Sequence, residues 1–169
     1  MEIRTFDDLY IAELQEARSV EEMLTTALQK MADAASDGRL KQAFTDHLEE
    51  TREQEQEVRA IIARLGADPG AHSDQALAAI IGEADKTAAM LPAGPVRDAE
   101  LIASAQRVEH YEMAVYGTLR AYAAALGHDD DVQILEGILE EEKDADDLLS
   151  DIAEGVVNPA AVEAEAGTG

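Results

Sequence analysis

Gln106-Arg107-Val108-Glu109-His110-Tyr111-Glu112-Met113 lies in the middle of an unbroken run, residues 95–126, that reads as one helix. Ile102, Ala105, Met113, Tyr116, Leu119 and Ala123 recur there at spacings of three and four, which marks one apolar face. Glu109 and Glu112 fall on that same face. A carboxylate on the buried stripe of a helix is costly unless something compensates its charge.

The other long runs share the feature. Tyr10, Ala17, Leu24, Leu28 and Met31 mark a stripe over residues 6–35 that includes Glu21. Leu40, Phe44, Val58, Ile61 and Leu65 mark another over 39–65, interrupted by His47, Glu50 and Gln54. Val132, Leu135, Leu139, Leu149 and Ile152 mark a third over 130–154, interrupted by Glu142 and Asp146. Each of four helices is thus expected to carry an inward acid near its midpoint.

The depths agree. Glu21 stands 16 residues before Asp37, the centre of the first turn, and Glu50 stands 13 after it. Glu112 stands 16 residues before His128, in the second turn, and Glu142 stands 14 after it. At ~1.5 Å per residue, these acids share one level of an antiparallel bundle to within about a turn. Converging Glu side chains from four helices are how a bundle builds a two-metal carboxylate site.

The whole chain supports an all-α reading. It has 169 residues, enough for one domain with a sizeable core, and lacks strand-type alternating runs. Its net charge of −24 repels nucleic-acid phosphates and anionic membrane surfaces, and attracts cations. With no Cys, it has no disulfide, Cys-ligated zinc or iron–sulfur site, or thiol catalyst. The acidic N-terminus lacks the apolar region of a signal peptide, and no apolar run approaches the ~20 residues of a membrane span. A cytoplasmic protein without nucleic-acid or membrane partners is expected.

Local signals set the boundaries. Thr5 with Asp7 and Asp8 opens the first helix, and Ser36-Asp37-Gly38 is a tight turn. Gly66 and Pro69-Gly70 stop the second helix. Ser73 is expected to cap a shorter helix over 74–91, with the connection carrying the chain to the far end of the bundle. Gly127 ends the next long helix, and Asp129-Asp130-Asp131 begins the last. Residues 1–155 are read as the bundle, and 156–169, rich in Ala, Glu and Gly, as a mobile tail in which Val156, Val157 and Val162 offer packing surface.

Leu48-Glu49-Glu50-Thr51, the Gln106–Glu112 stretch, Tyr116-Gly117-Thr118-Leu119-Arg120 and Glu141-Glu142-Lys143 together resemble the YciE/YciF family of ferritin-like proteins, over about residues 6–154. The resemblance implies an antiparallel four-helix bundle with a long crossover carrying a fifth, shorter helix. It also implies a homodimer and a link to bacterial stress responses. More widely, Glu21, Glu50, Glu109-x-x-Glu112 and Glu142 are similar to the carboxylates of rubrerythrins and ferritins. The histidines of that pattern are not matched, because Glu53 and Ala145 stand in their places. Gln54, Asp146 and His47 are the alternatives for completing the shell. An oxygen-rich set suits two divalent ions, Fe or Mn.

Two functions fit these residues. One is a dinuclear metal protein, a di-iron or di-manganese oxidoreductase acting on oxygen or peroxide and supplied by an external electron donor. The other is a non-catalytic bundle that acts through protein partners in a stress response, with a structural metal or none.

Overall fold

A computed structural model describes residues 2–166. The chain forms α1 (Phe6–Ala34), α2 (Gly38–Arg64), α3 (Gln75–Ala89), α4 (Pro95–Leu126) and α5 (Asp129–Ile152). A π-helical turn (Ala153–Val157) and α6 (Asn158–Ala166) follow. Among the described residues there is no strand. The architecture is the ferritin-like bundle: α1 pairs with α2, α4 pairs with α5, and the two hairpins pack on each other.

The boundaries have local causes. The Thr5 hydroxyl accepts from the Asp8 amide and the Asp8 carboxylate accepts from the Thr5 amide, a reciprocal cap that satisfies two orphan donors. Asp37 opens α2 by accepting from the amides of Arg39 (2.8 Å) and Leu40 (3.1 Å). Between α4 and α5, Gly127 takes φ 77°, a left-handed conformation that lets its amide and that of His128 close onto the last α4 carbonyls.

The cap of α3 is Asp74, one residue beyond the expected Ser73. The reason is tertiary. Asp74 donates its amide to the Ser19 hydroxyl on α1 (2.8 Å), and its carboxylate accepts from the Leu77 amide and from the Tyr111 hydroxyl on α4. One side chain therefore starts the crossover helix and pins it to two others. Of the α3 residues only Leu77 is fully buried, so α3 lies outside the four-helix core, against α4 and α1.

Residues 156–166, read from the sequence as a mobile tail, are helical. Pro159 has no N–H to give to the Gly155 carbonyl, so an α ladder cannot pass this point unbroken. The chain makes a π turn instead, buries Val157, and continues as α6 against α4. Residues 167–169 of the expected tail lie outside the described residues.

The core is divided along the bundle axis. Near the α1–α2 turn, Val20, Leu24, Phe44, Leu48, Ile102 and Leu149 belong to one apolar cluster. Near the α4–α5 turn, Tyr10, Leu14, Ile61, Tyr116, Leu119 and Leu135 belong to a second. Each fully buried aliphatic side chain contributes about 1.5–3 kcal/mol relative to exposure. The slab between the clusters holds the polar side chains.

Candidate metal centre

Four helices deliver side chains to that slab: Glu21 from α1, His47 from α2, Glu109 and Glu112 from α4, and Glu142 from α5. All five are buried. One ligand atom each from His47, Glu109, Glu112 and Glu142 lies within 4.8 Å of the other three. His47 Nε2 is 3.5 Å from Glu109 and 3.6 Å from Glu142. Glu109 and Glu112 share a face of α4 because they are three residues apart. Glu21 approaches from α1, and its Oε1 accepts a hydrogen bond from the Tyr116 hydroxyl.

Buried carboxylates here are of two kinds. At the bundle ends each one is satisfied. Asp98 accepts from the amides of Ser36 and Asp37, both at 2.8 Å, and ties α4 to the first turn. Asp131 accepts from the Tyr10 hydroxyl and from Arg64, and ties α5 to α1 and α2 at the other end. Asp74 does the same for the crossover. In the central slab the opposite holds. Glu21, Glu109, Glu112 and Glu142 each keep a buried Oε2 with no hydrogen-bond partner among the described residues. An unpartnered buried carboxylate oxygen is expensive, and four at one level call for either bound protons or a compensating positive charge.

The electrostatics express the same imbalance. Burial, then the charge of Glu142, pushes Glu21 up to about 8, against the lowering effect of its bond with Tyr116. Burial and the charges of Glu142, Glu21 and Glu109 hold Glu112 well above the ordinary carboxylate range. Burial also raises Glu109 and Glu142, although His47 pulls both down. Burial alone would lower His47, but its bond to Glu50 and the charges of Glu109, Glu142 and Glu50 outweigh it, and the ring rises to about 9. Without another cation, His47 is the one positive partner that these carboxylates have within the cluster.

Not every expected residue reaches the centre. Glu50 does not: its side chain is 51% exposed, and its Oε2 meets His47 Nδ1 at 3.3 Å. At about 100° per residue, Glu50 falls just past the edge of the buried sector of α2, whereas His47, Thr51 and Gln54 lie within it. The α2 side chain that reaches in is therefore His47, one of the alternatives, held in place by Glu50. Gln54 donates to Glu142 at 2.7 Å and to Glu141 at 2.9 Å, so it orients a carboxylate from outside the cluster. Asp146 accepts from Gln106 at 3.1 Å and lies 3.5 Å from the exposed His110, outside the cluster as well. His128 stacks on Tyr10, far from the slab.

Comparison with known proteins accords with this architecture. Residues 5–162 match a family described as a domain of unknown function, DUF892. The chain is 40% identical over 159 residues to Protein YciF of Escherichia coli K12, covering 94% of this chain and 96% of that one. The crystal structure of the E. coli stress protein YciF superposes with a TM-score of 0.86 at 39% identity, over 92% of this chain and 99% of the other. YcfI of Rhodopseudomonas palustris, for which a structural role has been suggested, gives 0.85 at 42% identity, over 88% and 95%. By sequence and fold alike, the chain belongs to the DUF892 family, the YciE/YciF group of ferritin-like proteins.

Proposed function

We propose that the central slab holds two divalent metal ions, Fe or Mn, used on oxygen or peroxide in a stress response. The observation that carries this reading is the set of four buried carboxylates, each with an Oε2 that accepts no hydrogen bond among the described residues, with His47 as their one cationic neighbour in the cluster. Two divalent cations would neutralise four carboxylates. An oxygen-rich set with a single imidazole suits Fe or Mn better than softer-ligand metals. Bound there, the ions would supply Lewis acidity and one-electron redox chemistry toward an oxygen species.

The chain's own residues have definable tasks in this reading. Glu50 accepts from His47 Nδ1–H, so that a metal ion replacing the Nε2 proton would find that nitrogen already turned toward Glu109 and Glu142. Gln54 fixes one oxygen of Glu142 and leaves the other turned toward His47. Tyr116 likewise fixes one oxygen of Glu21, and burial together with the Glu21 charge keeps its phenol neutral. The apolar clusters above and below exclude bulk water. Since the chain has no Cys, electrons would come from an external donor. The description of the E. coli relative as a stress protein agrees with this role.

A second reading follows from the structural role suggested for the R. palustris relative: a bundle that acts through protein partners, with structural metal or none. One experiment tests the metal site that the first reading requires. Fe(II) and Mn(II) are titrated into chelator-treated wild type and into His47→Ala/Glu142→Ala, with stoichiometry and melting temperature as readouts. The metal reading expects two ions per wild-type chain and a higher melting temperature by mass action, both lost in the double variant. A wild type that binds nothing, and melts identically with and without metal, leaves the partner reading.

A further inference from the structure

His47 and Glu109 are reached by two cavities that differ in polarity. One, of about 260 Å³, opens between α2 and α5, with Asp46, Glu50, Glu141 and Asp144 set among Phe44, Leu148 and Leu149 on the way to that pair. It offers a polar approach to cations, protons and peroxide. The other, of about 110 Å³, lies between α1, α3 and α4. Its walls are Leu24, Leu28, Met31, Ile81, Leu101 and Val108, and its inner end is again His47 and Glu109. At its rim, the exposed Lys30 and Asp85 pair at 3.0 Å, joining α1 to the crossover helix.

We infer that the apolar cavity is a binding site for dioxygen, admitted from the α3 side and delivered to His47 and Glu109. Three properties carry this. Between the Lys30–Asp85 rim and the His47–Glu109 end only Ser104 offers a water a polar side chain, and enclosed apolar cavities of about 150 Å³ stay dry yet take up xenon or benzene. The volume here is smaller than that, so the occupant has few atoms. A charged species would lose its hydration there without compensation, so cations are confined to the acidic side. Alanines make the space: Ala88 on α3 and Ala105 on α4 stand in the lining where a larger aliphatic side chain would fill it. The two entrances thus sort reactants by polarity before they meet at one pair of side chains. The inference deepens the oxygen reading above and rests on it for the use of the bound molecule, but the binding itself requires no metal.

The test therefore uses metal-free full-length protein. Methyl-labelled samples are equilibrated under dioxygen pressure, and paramagnetic relaxation is read at Leu24, Leu28 and Val108, with Leu14 and Ile61 in the other core cluster as references. The expected result is a severalfold larger enhancement at the cavity methyls, lost in Ala105→Leu and in Ala88→Leu. Ala88 is only partly buried, so its variant preserves the test if Ala105→Leu fails to fold. Equal enhancement in both clusters, or enhancement that survives Ala88→Leu in a folded protein, overturns the inference. Failure of the metal titration alone would leave this result unchanged, so the two proposals fail separately.

Discussion

Raising the pH of the metal-free protein from about 5 to about 8 should destabilise it, and Glu21→Gln should remove much of the effect. In the native state Glu21 titrates at about 8 instead of the ordinary 4.5. Between those values the native state holds a proton that the unfolded chain has released, so the folded form is favoured by low pH. This contribution is fully present below about 4.5 and is lost as pH rises through about 8. Integrated from about pH 5 to about pH 8, the loss is roughly 3 kcal/mol. His47 acts in the same direction, with a native value of about 9 against 6.5. Its contribution is present below 6.5 and shrinks as pH rises through about 9, which removes ~2 kcal/mol over the same interval. The two groups share one electrostatic field, so together they are expected to remove about 3–4 kcal/mol, a large fraction of a domain's stability of roughly 5–15 kcal/mol, and the raised Glu109, Glu112 and Glu142 act in the same direction. Glu21→Gln keeps an acceptor for Tyr116 while removing the ionisation. The assay is urea unfolding followed by circular dichroism, in chelator and at high salt, which screens the repulsion of the acidic surface but not of the buried slab. A wild-type stability that is flat across the interval, or a Glu21→Gln variant with the same slope as wild type, would refute the reasoning.

Three further outcomes are expected. Asp98→Ala removes the acceptor of two amide bonds and should cost about 2–3 kcal/mol in urea unfolding, with metal stoichiometry unchanged, because Asp98 belongs to the bundle end and not to the slab. Glu50→Ala should weaken metal binding about tenfold without altering stoichiometry, since Glu50 orients His47 and does not itself enter the cluster; an unchanged affinity in calorimetric titration would remove that role. Light scattering should give twice the chain mass, the homodimer expected from the family resemblance, and a monomer mass at micromolar concentration would overturn it.

The four long helices and their pairing were legible from the sequence because each carries an apolar stripe at helical spacing and the two helices of each pair are joined by a short turn with its own cap, Asp37 or Gly127. Glu109 and Glu112 were legible as inward for the same reason: their neighbours on the stripe fix the phase. Glu50 was read as inward because the α2 stripe is broken by polar residues on both sides of the buried sector's edge, where one step of helix rotation separates the slab from solvent.

What the sequence determined by itself is therefore whatever depends on spacing along one helix: the all-helical class, the helix boundaries to within a residue or two, and the shared depth of the acids. Only the tertiary structure decided what depends on the meeting of different helices. It placed His47 in the slab with Glu50 behind it, gave Asp98 and Asp131 amide and hydroxyl partners more than 60 residues away, and left the Oε2 atoms of Glu21, Glu109, Glu112 and Glu142 without any. It also made Asp74 the cap of the crossover helix, because Ser19 and Tyr111 converge on it from α1 and α4. The physical reason is that periodicity reports the direction in which a side chain points. Whether a buried carboxylate is satisfied depends on the donors that other helices bring within about 3 Å, and no single-helix pattern encodes that distance.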